Sequence, residues 1–312
     1  MILMMNAHIK FEGFELYSVE SVRIESSWEN LTDRAYLVLP RSLHFRSSIE
    51  EYFSVGDKIE IHLGYDGMYR KEFSGYISKI SAESPITLEC EDKMYELKKI
   101  NINKNYTKAN LRKVIEDIIP KEIKTEVADI ELGGLICSRT TVAKVLQDLK
   151  EKFKIYSYFK DDVLVVGKIY TDDNETVNYE LEKNVVSNSL QFRKKEDLEL
   201  KVIAKSYSSN GKVIEASFGD KGAPETETIF YNIGSIVELK KLAQMDYEKM
   251  KIEGYSGEIT TFGIPFVRHG YKSNITSMIY PERNGVYWVD AVTTEFSSNG
   301  FRRSVKIGRR AS

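Results

Sequence analysis

The sequence has few of the residues on which disulfide scaffolds, metal sites and catalytic centres depend. Its 312 residues include two cysteines, four histidines, two tryptophans and six prolines. Cys90 and Cys137 are too few for a disulfide framework, and neither belongs to a CxxC pair. Because cellular thiols are kept reduced, we expect two reduced, half-buried cysteines.

Long hydrophobic runs are also missing. The apolar run at residues 1–5 ends at Asn6 and lacks both the basic start and the length of a signal peptide. No window approaches the ~20 apolar residues that a membrane-spanning helix needs. We therefore expect a chain without a signal peptide or membrane partner, which is made in the cytoplasm and stays soluble until it assembles.

The chain has no excess of charge of one sign, because 45 Lys and Arg residues oppose 47 Asp and Glu residues, a net charge of −2. Such a chain has no overall electrostatic attraction to nucleic acid or to an anionic membrane. The local exception is a basic tail with Arg302, Arg303, Lys306, Arg309 and Arg310. No aromatic residues that could stack on nucleobases are interleaved with these basic residues. The tail is therefore interpreted as a solvated strand edge, a lumen lining or a partner surface rather than a nucleic-acid site.

What the sequence does have is a strand-favouring composition, with 19 Tyr and 14 Phe. In the first third, alternation of apolar and polar residues is typical of half-buried strands. The alternating sets are Val22 and Ile24; Ala35, Leu37 and Leu39; Ile59, Ile61 and Leu63; and Ile86, Leu88 and Cys90. Asp66-Gly67 predicts a tight hairpin. The returning strand at 73–80 is apolar on both faces, so one face should pack on further protein, and Gly75 predicts a bulge or a close backbone approach.

Near residue 100 the pattern changes to that of a small α/β module. Thr107 is predicted to cap a helix that ends at Pro120. The apolar stripe of this helix consists of Leu111, Val114, Ile115 and Ile118. A second helix is predicted to begin at about Thr141, because apolar residues follow at helical spacing. Asp161-Asp162 predicts the turn of a small hairpin.

The β pattern returns from about residue 184, with turns predicted at Asn210-Gly211 and at Asn299-Gly300. One long helix, at about 234–252, interrupts the strands. Its predicted stripe consists of Ile236, Leu239, Ala243, Tyr247 and Met250. The fold class is therefore mainly β (α+β), in the order β, α/β insert, β with one helix. At ~150 residues per domain, the length suggests about two domains.

No motif indicates chemistry. The chain lacks GxSxG, P-loop and GxGxxG patterns. The four histidines are far apart and not beside paired cysteines, whereas metal sites need clustered donors; they are His8, His44, His62 and His269. The acidic pairs Asp161-Asp162 and Asp172-Asp173 suit hydrogen bonds to turn backbone better than a facing pair of catalytic acids. The sequence therefore predicts no catalytic, cofactor-binding or metal-binding residue.

Three stretches resemble a known family. Residues 55–67 (VGDKIEIHLGYDG) with 72–80 (EFSGYISKI) resemble a hairpin of phage tail baseplate hub proteins, the late-control-protein-D family of contractile tails. That family is related to the hub part of type VI secretion spike proteins. Residues 141–167 resemble the family's middle module. Residues 280–290 and 300–308 resemble its last hairpin, so the similarity touches the beginning, middle and end of the chain.

The resemblance implies two tail-tube-like β-barrel domains, at 1–100 and 176–312, and an inserted α/β module at 101–175. It implies a structural baseplate hub, a virion component rather than an enzyme. Three copies would form a homotrimer, a pseudo-sixfold ring between the tail tube protein and the trimeric spike protein. The tape-measure protein is a possible further partner, and sequence-specific nucleic-acid binding is not implied. Because nothing after Ser312 could form a spike, we expect a separate spike chain.

Two alternatives remain at this stage. A tail tube or tube-initiator component of an injection system would share the barrel but have different partners, although the module at 101–170 argues against a plain tube subunit. A tail-associated cell-wall hydrolase is the enzymatic alternative, and a zymogram on peptidoglycan would distinguish it from a structural protein.

Overall fold

The computed structural model describes residues 4–40, 52–81, 84–171, 175–208 and 211–311. His44, the pair Asp172-Asp173 and Asn210 lie outside the described residues. The described chain is mainly β with a few helices, so the mainly-β prediction is confirmed. None of the helices in these ranges is long and apolar enough to cross a bilayer.

The first part of the chain forms antiparallel strands. These are β1 (Met5–Phe11), β2 (Glu15–Leu16), β3 (Ser21–Ser27), β4 (Arg34–Val38), β5 (Lys58–Tyr65), β6 (Met68–Ser81) and β7 (Thr87–Glu91). Strands β5 and β6 turn at Asp66 and Gly67, whose φ angles are 52° and 78°, and Tyr65 pairs directly with Met68. Two positive φ angles in a two-residue turn suit the twist of the flanking strands. The predicted hairpin is confirmed.

Gly75 lies in β6, where this strand runs beside β7. A Cβ atom at this position would lie 2.1 Å from the backbone oxygen of Glu91, far inside van der Waals contact. The β6–β7 register is irregular between Ile77 and Lys79. The predicted close backbone approach is therefore confirmed, and glycine is the residue that fits.

Both faces of β6 contact protein. Phe73 and Ile77 are buried in the core of the N-terminal strands. On the other face, the Tyr76 ring stacks on Tyr95 with centroids 5.4 Å apart, and the Tyr76 hydroxyl donates to Glu96 Oε1 at 2.6 Å. Tyr76 thus packs on a short helix of the next module, as predicted for its face. Ile80, predicted on the same face, packs against the N-terminal core instead, after the register shift between Ile77 and Lys79.

The middle of the chain is an α/β module with its own core. Its elements are α1 (Met94–Leu97), β8 (Asn101–Asn110), α2 (Leu111–Ile118), β9 (Lys124–Val127), β10 (Glu131–Thr141), α3 (Val142–Phe153), β11 (Ser157–Lys160) and β12 (Val163–Val166). Thr141 caps α3, because its Oγ1 accepts from the backbone N–H of Lys144 at 3.3 Å. The predicted hairpin around Asp161-Asp162 is formed by β11 and β12.

The predicted cap at Thr107 is wrong. Thr107 lies within β8, which pairs with β10 up to Asn110. Asn110 caps α2 instead, since its Oδ1 accepts from the backbone N–H of Lys113 at 3.3 Å. Strand pairing with a distant segment holds residue 107 extended and moves the start of the helix three residues along the chain.

The last part of the chain returns to strands. It contains β13 (Thr176–Glu180), β14 (Val185–Asn188), β15 (Gln191–Arg193), β16 (Lys201–Tyr207), β17 (Val213–Gly219), β18 (Glu225–Tyr231), α4 (Ile236–Met250), β19 (Gly254–Phe262), β20 (Lys272–Thr276), β21 (Gly285–Ser297) and β22 (Gly300–Arg310). Helix α4 packs on the three-stranded sheet β17–β16–β18. Of its predicted stripe, Leu239 and Ala243 are buried, whereas Ile236 is 59% exposed. The stripe is therefore buried only in its middle, where the small sheet covers the helix.

One continuous sheet joins the two β regions. It runs in the order β14-β19-β22-β21-β3-β4-β7-β6-β5-β1-β2. The junction is antiparallel pairing of β3 with β21, from Ser27 opposite Ala291 to Ser21 opposite Ser297. Because the path of described strands is open, the β-barrel form stays a prediction, as do the boundaries at 1–100, 101–175 and 176–312.

Candidate functional site

Two of the histidines lie on the outer face of β1 and β5, each beside a glutamate. His8 Nε2 is 2.9 Å from Glu15 Oε2, and His62 Nε2 is 3.1 Å from Glu60 Oε2. The His8 ring stacks on Tyr17 at 4.5 Å. Within the described ranges, no group of three or more His, Cys, Asp and Glu side chains is arranged to hold a metal ion. Cys90 and Cys137 are free and buried.

His269 contacts Ser26 and lies near Asp33, which are the residue types of a hydrolytic triad. Ser26 Oγ is 2.7 Å from His269 Nδ1, and the serine also hydrogen-bonds the Asp33 carboxyl group. In a triad the imidazole lies between the serine and the carboxylate. Here the serine lies in the middle, so the carboxylate does not orient the imidazole. Burial also lowers the pKa of His269 to about 3, which makes it a weak base.

Asp161 and Asp162 occupy the β11–β12 turn, and Asp161 has a φ of 53°. Their side chains form ion pairs rather than the backbone hydrogen bonds predicted for the turn. Asp161 pairs with Arg268 of the C-terminal region. Asp162 Oδ1 is 2.6 Å from Lys93 Nζ, next to α1. The two carboxylates point to different cations, so they do not form a facing acid pair.

Arg303 of β22 and Glu72 of β6 form a buried ion pair. Arg303 is 1% exposed, and its Nη2 and Nη1 lie 2.6 and 2.9 Å from the two carboxylate oxygens of Glu72. Arg303 also donates to Gly263 O and to Thr294 Oγ1. All its nitrogen atoms therefore have acceptors, as burial of a guanidinium requires.

Arg303 corrects the interpretation of the basic tail. Of the five basic residues, this one is buried and belongs to no solvated edge, lumen lining or partner surface. Arg303 alternates along the strand with Val305 and Ile307, which are both buried. This pattern in the sequence could have predicted that Arg303 faces inward. The partner, Glu72, is 231 residues away along the chain and carried no local signal.

A second buried polar group joins the β3–β4 turn to the start of α1. Asp92 accepts from the backbone N–H of Asp33 at 3.0 Å and from that of Met94 at 2.9 Å. Asp33 accepts from the backbone N–H of Ser27 at 3.2 Å. Burial, reinforced by the neighbouring Asp33 carboxyl, raises the pKa of Asp92 to about 8. Burial likewise raises the pKa of Asp33.

We expect stability to fall as the pH rises from 6.5 to 8. In the unfolded chain Asp92 is deprotonated throughout this range, whereas the folded protein holds its proton until about pH 8. The free energy of unfolding should therefore drop by about 1 kcal/mol per pH unit. His269 works in the opposite direction only below its unfolded pKa of about 6.5. Urea unfolding of the wild type and of Asp92→Asn at both pH values measures the effect. If the free energy of unfolding of Asp92→Asn falls with pH as steeply as that of the wild type, a group other than Asp92 causes the pH dependence.

The loop 277–284, between β20 and β21, presents consecutive exposed apolar residues. Met278 and Ile279 are 68% and 67% exposed. The backbone of this loop is nevertheless held in place, because Ser277 N–H donates to Asn284 Oδ1 at 2.8 Å and Met278 N–H donates to Glu182 Oε2 at 3.1 Å. A rigid loop that presents apolar side chains to solvent is typical of a protein–protein contact.

Helix α4 carries the second group of exposed apolar residues. Ile236, Val237, Met245 and Met250 are all exposed on a helix of 15 residues. Only Leu239 and Ala243 of the described helix are buried. Ile236 and Met250 continue the core stripe beyond the part that the small sheet covers, and Val237 and Met245 lie on other sides of the helix. This helix therefore has apolar area left for a further partner.

Comparison with known proteins identifies the fold. No protein-family model and no curated protein sequence matches the chain. Among solved structures, a tail protein of the MuSo2 prophage from Shewanella oneidensis matches with a TM-score of 0.66 and 16% identity, over 98% of each chain. A tail protein from Neisseria meningitidis matches with a TM-score of 0.65 and 13% identity, over 97% of this chain and 96% of that one.

The chain has the phage tail protein fold. A type VI secretion component of E. coli, itself described as similar to bacteriophage tail proteins, shares this fold with a TM-score of 0.61 and 9% identity, over 96% of this chain and 76% of that one. The tail protein fold thus covers nearly the whole chain, including the α/β module and the region of α4. The structural resemblance suggested by the three sequence stretches is confirmed.

Proposed function

We propose that the chain is a structural baseplate hub of a phage or phage-like tail. The observation that carries the proposal is the match of the tail protein fold over 98% of both chains. The site geometry agrees with it. The Ser26, His269 and Asp33 group lacks the order of a triad, and the acidic pair Asp161-Asp162 is divided between two cations. The function we propose therefore depends on assembly rather than on catalysis.

The proposed assembly is a homotrimeric ring between a tail tube protein and a trimeric spike protein, located in the virion tail. In a closed ring each copy presents two different surfaces to its neighbours. The chain offers two groups of exposed apolar residues for such surfaces, one in the loop 277–284 and one on α4. The tape-measure protein is a further partner that a ring with a hollow axis would admit. A tail tube subunit is less well supported, because the α/β module has a core of its own.

The purified chain should form trimers, alone or with the spike protein of the same tail. Light scattering measures the mass, and negative-stain images show whether rings with threefold symmetry form. Replacing Met278 and Ile279 by Asp should abolish the trimer, because charges would then be buried in the ring contact. Ile136→Asp is the matched control, since Ile136 is 79% exposed on β10. A chain that stays monomeric with its spike contradicts the hub, and lysis zones on a peptidoglycan zymogram would favour the hydrolase.

A further inference from the structure

A cationic and aromatic surface lies where the tip of the β5–β6 hairpin meets the loop between β19 and β20. We call it the arginine–aromatic surface and define it by six residues: Met68, Arg70, Phe262, Ile264, Phe266 and Arg302. Met68 is 77% exposed and Ile264 is 54% exposed. The hairpin belongs to the N-terminal strands and the loop to the C-terminal strands, so the surface spans both β regions.

Specific contacts hold the two halves of this surface together. The Arg70 guanidinium lies 3.8 Å from the centroid of the Phe266 ring. The backbone N–H of Gly263 donates to the Tyr65 hydroxyl at 3.3 Å, and the carbonyl of Gly263 accepts from buried Arg303 at 2.8 Å. The surface is therefore ordered before any partner binds, which lowers the entropy that binding costs.

Phe262, at the end of β19, and Phe266, within the loop, each have a guanidinium on the face of the ring. Arg302 lies 4.5 Å from the centroid of Phe262, as Arg70 does at 3.8 Å on Phe266. Stacking uses the flat face of a guanidinium and leaves N–H groups at its edge free to donate. These in-plane donors match the two oxygens of a carboxylate.

No ion pair in the described part of the chain neutralises the two arginines of the surface. None of its six residues is acidic, and no ion pair among the described residues includes Arg70 or Arg302, although Glu295 lies opposite Arg302 in the strand pairing. The nearby acids have other partners: Asp66 accepts from the backbone N–H of Met4 at 2.9 Å, Glu295 pairs with Arg23 at 2.7 Å, and Glu72 pairs with Arg303 at 2.6 Å.

We propose that the arginine–aromatic surface docks an acidic protein segment with apolar side chains between its carboxylates. Arginine, aromatic residues and methionine are the residue types that protein contacts favour. An anionic membrane fits less well, because Phe262 and Phe266 have guanidinium groups on their faces and could not enter the hydrocarbon without burying charge. The proposal rests on the proposed function in one respect: the natural partner would be another tail component.

The test uses a short fluorescein-labelled peptide that alternates Glu with Leu, and a matched peptide with Lys in place of Glu. Fluorescence anisotropy with the full-length chain should show binding of the acidic peptide only, weakened by added salt. The double variant Arg70→Glu, Arg302→Glu should weaken binding at least about tenfold, since it replaces attraction with repulsion. The double variant Arg70→Lys, Arg302→Lys keeps the positive charge but lacks the planar donors. It should therefore weaken peptide binding less than the double glutamate variant does.

The matched control is Lys240→Glu with Lys241→Glu, which makes the same change of net charge on exposed residues of α4. It should leave peptide binding unchanged. The proposal is overturned if the acidic peptide does not bind. It is also overturned if the lysine control weakens binding as much as the arginine double variant does. Binding to phosphatidylglycerol vesicles without binding to the peptide overturns it in favour of a membrane. Peptide binding can be measured whether the chain is a monomer or a trimer. A chain that binds the peptide but never forms rings would therefore contradict the hub proposal and leave the docking proposal standing.

Discussion

Replacing Arg303 by Met should lower the free energy of unfolding by about 3–5 kcal/mol. The change leaves the Glu72 carboxylate buried with neither of its two guanidinium contacts, which are 2.6 and 2.9 Å long. Gly263 O and Thr294 Oγ1 lose their donor as well. Equilibrium unfolding in urea, followed by circular dichroism, measures the loss.

The double variant Arg303→Met, Glu72→Gln should recover a large part of that loss, because it removes the unpaired charge. Lys306→Met is the matched control on the same strand. Lys306 is exposed and its nearest carboxylate is 3.8 Å away, so the change should stay within about 0.5 kcal/mol. A loss in Arg303→Met no larger than that of the control would show that the buried ion pair does not stabilise the fold.

Gly75→Val should also destabilise strongly, by about 3 kcal/mol. The first side-chain atom would lie 2.1 Å from the backbone oxygen of Glu91, and backbone cannot move aside as a flexible side chain can. Strands β6 and β7 would have to separate at the point where Tyr76 pairs with Glu91. The midpoint of urea unfolding measures the effect.

Ser74→Val is the control, because it introduces the same side chain one position earlier in β6, at a residue that is itself exposed. Valine favours strands, so this variant should be close to neutral. Gly75→Ala tests whether the Cβ atom alone is responsible. If Gly75→Val unfolds at the same urea concentration as Ser74→Val, the strands tolerate the atom and the steric explanation is wrong.

The structure explains the presence of Gly75, one glycine of the stretches that resemble the hub family. It stands in the middle of 72–80 (EFSGYISKI), which resembles the hub hairpin. The structure gives this glycine a backbone role, the close approach of β6 to β7, and no role in a binding site. A stretch of this kind reflects the backbone requirements of the fold, whereas the loop 277–284, which we propose as a partner contact, lies outside it.

The sequence by itself determined the local elements. Asp66-Gly67 predicted its hairpin, and the apolar spacing after Thr141 predicted the start of α3, because a turn or a helix depends on residues that are close along the chain. Strand alternation around Leu37 and Ile61 was also readable, since one buried face imposes a period of two. The strand-rich composition and the order of β, α/β and β regions placed the chain in the right fold class.

The tertiary structure alone decided which distant segments meet. Pairing of β3 with β21 and of Arg303 with Glu72 depends on how the whole chain buries its apolar surface. The same is true of the stacking of Arg302 on Phe262, which brings together a base and an aromatic residue that the sequence does not interleave. Thr107 does not cap a helix as predicted, because pairing with β10 extends strand β8 through this residue. Such long-range contacts are selected by the total burial of the fold, and no local pattern encodes them.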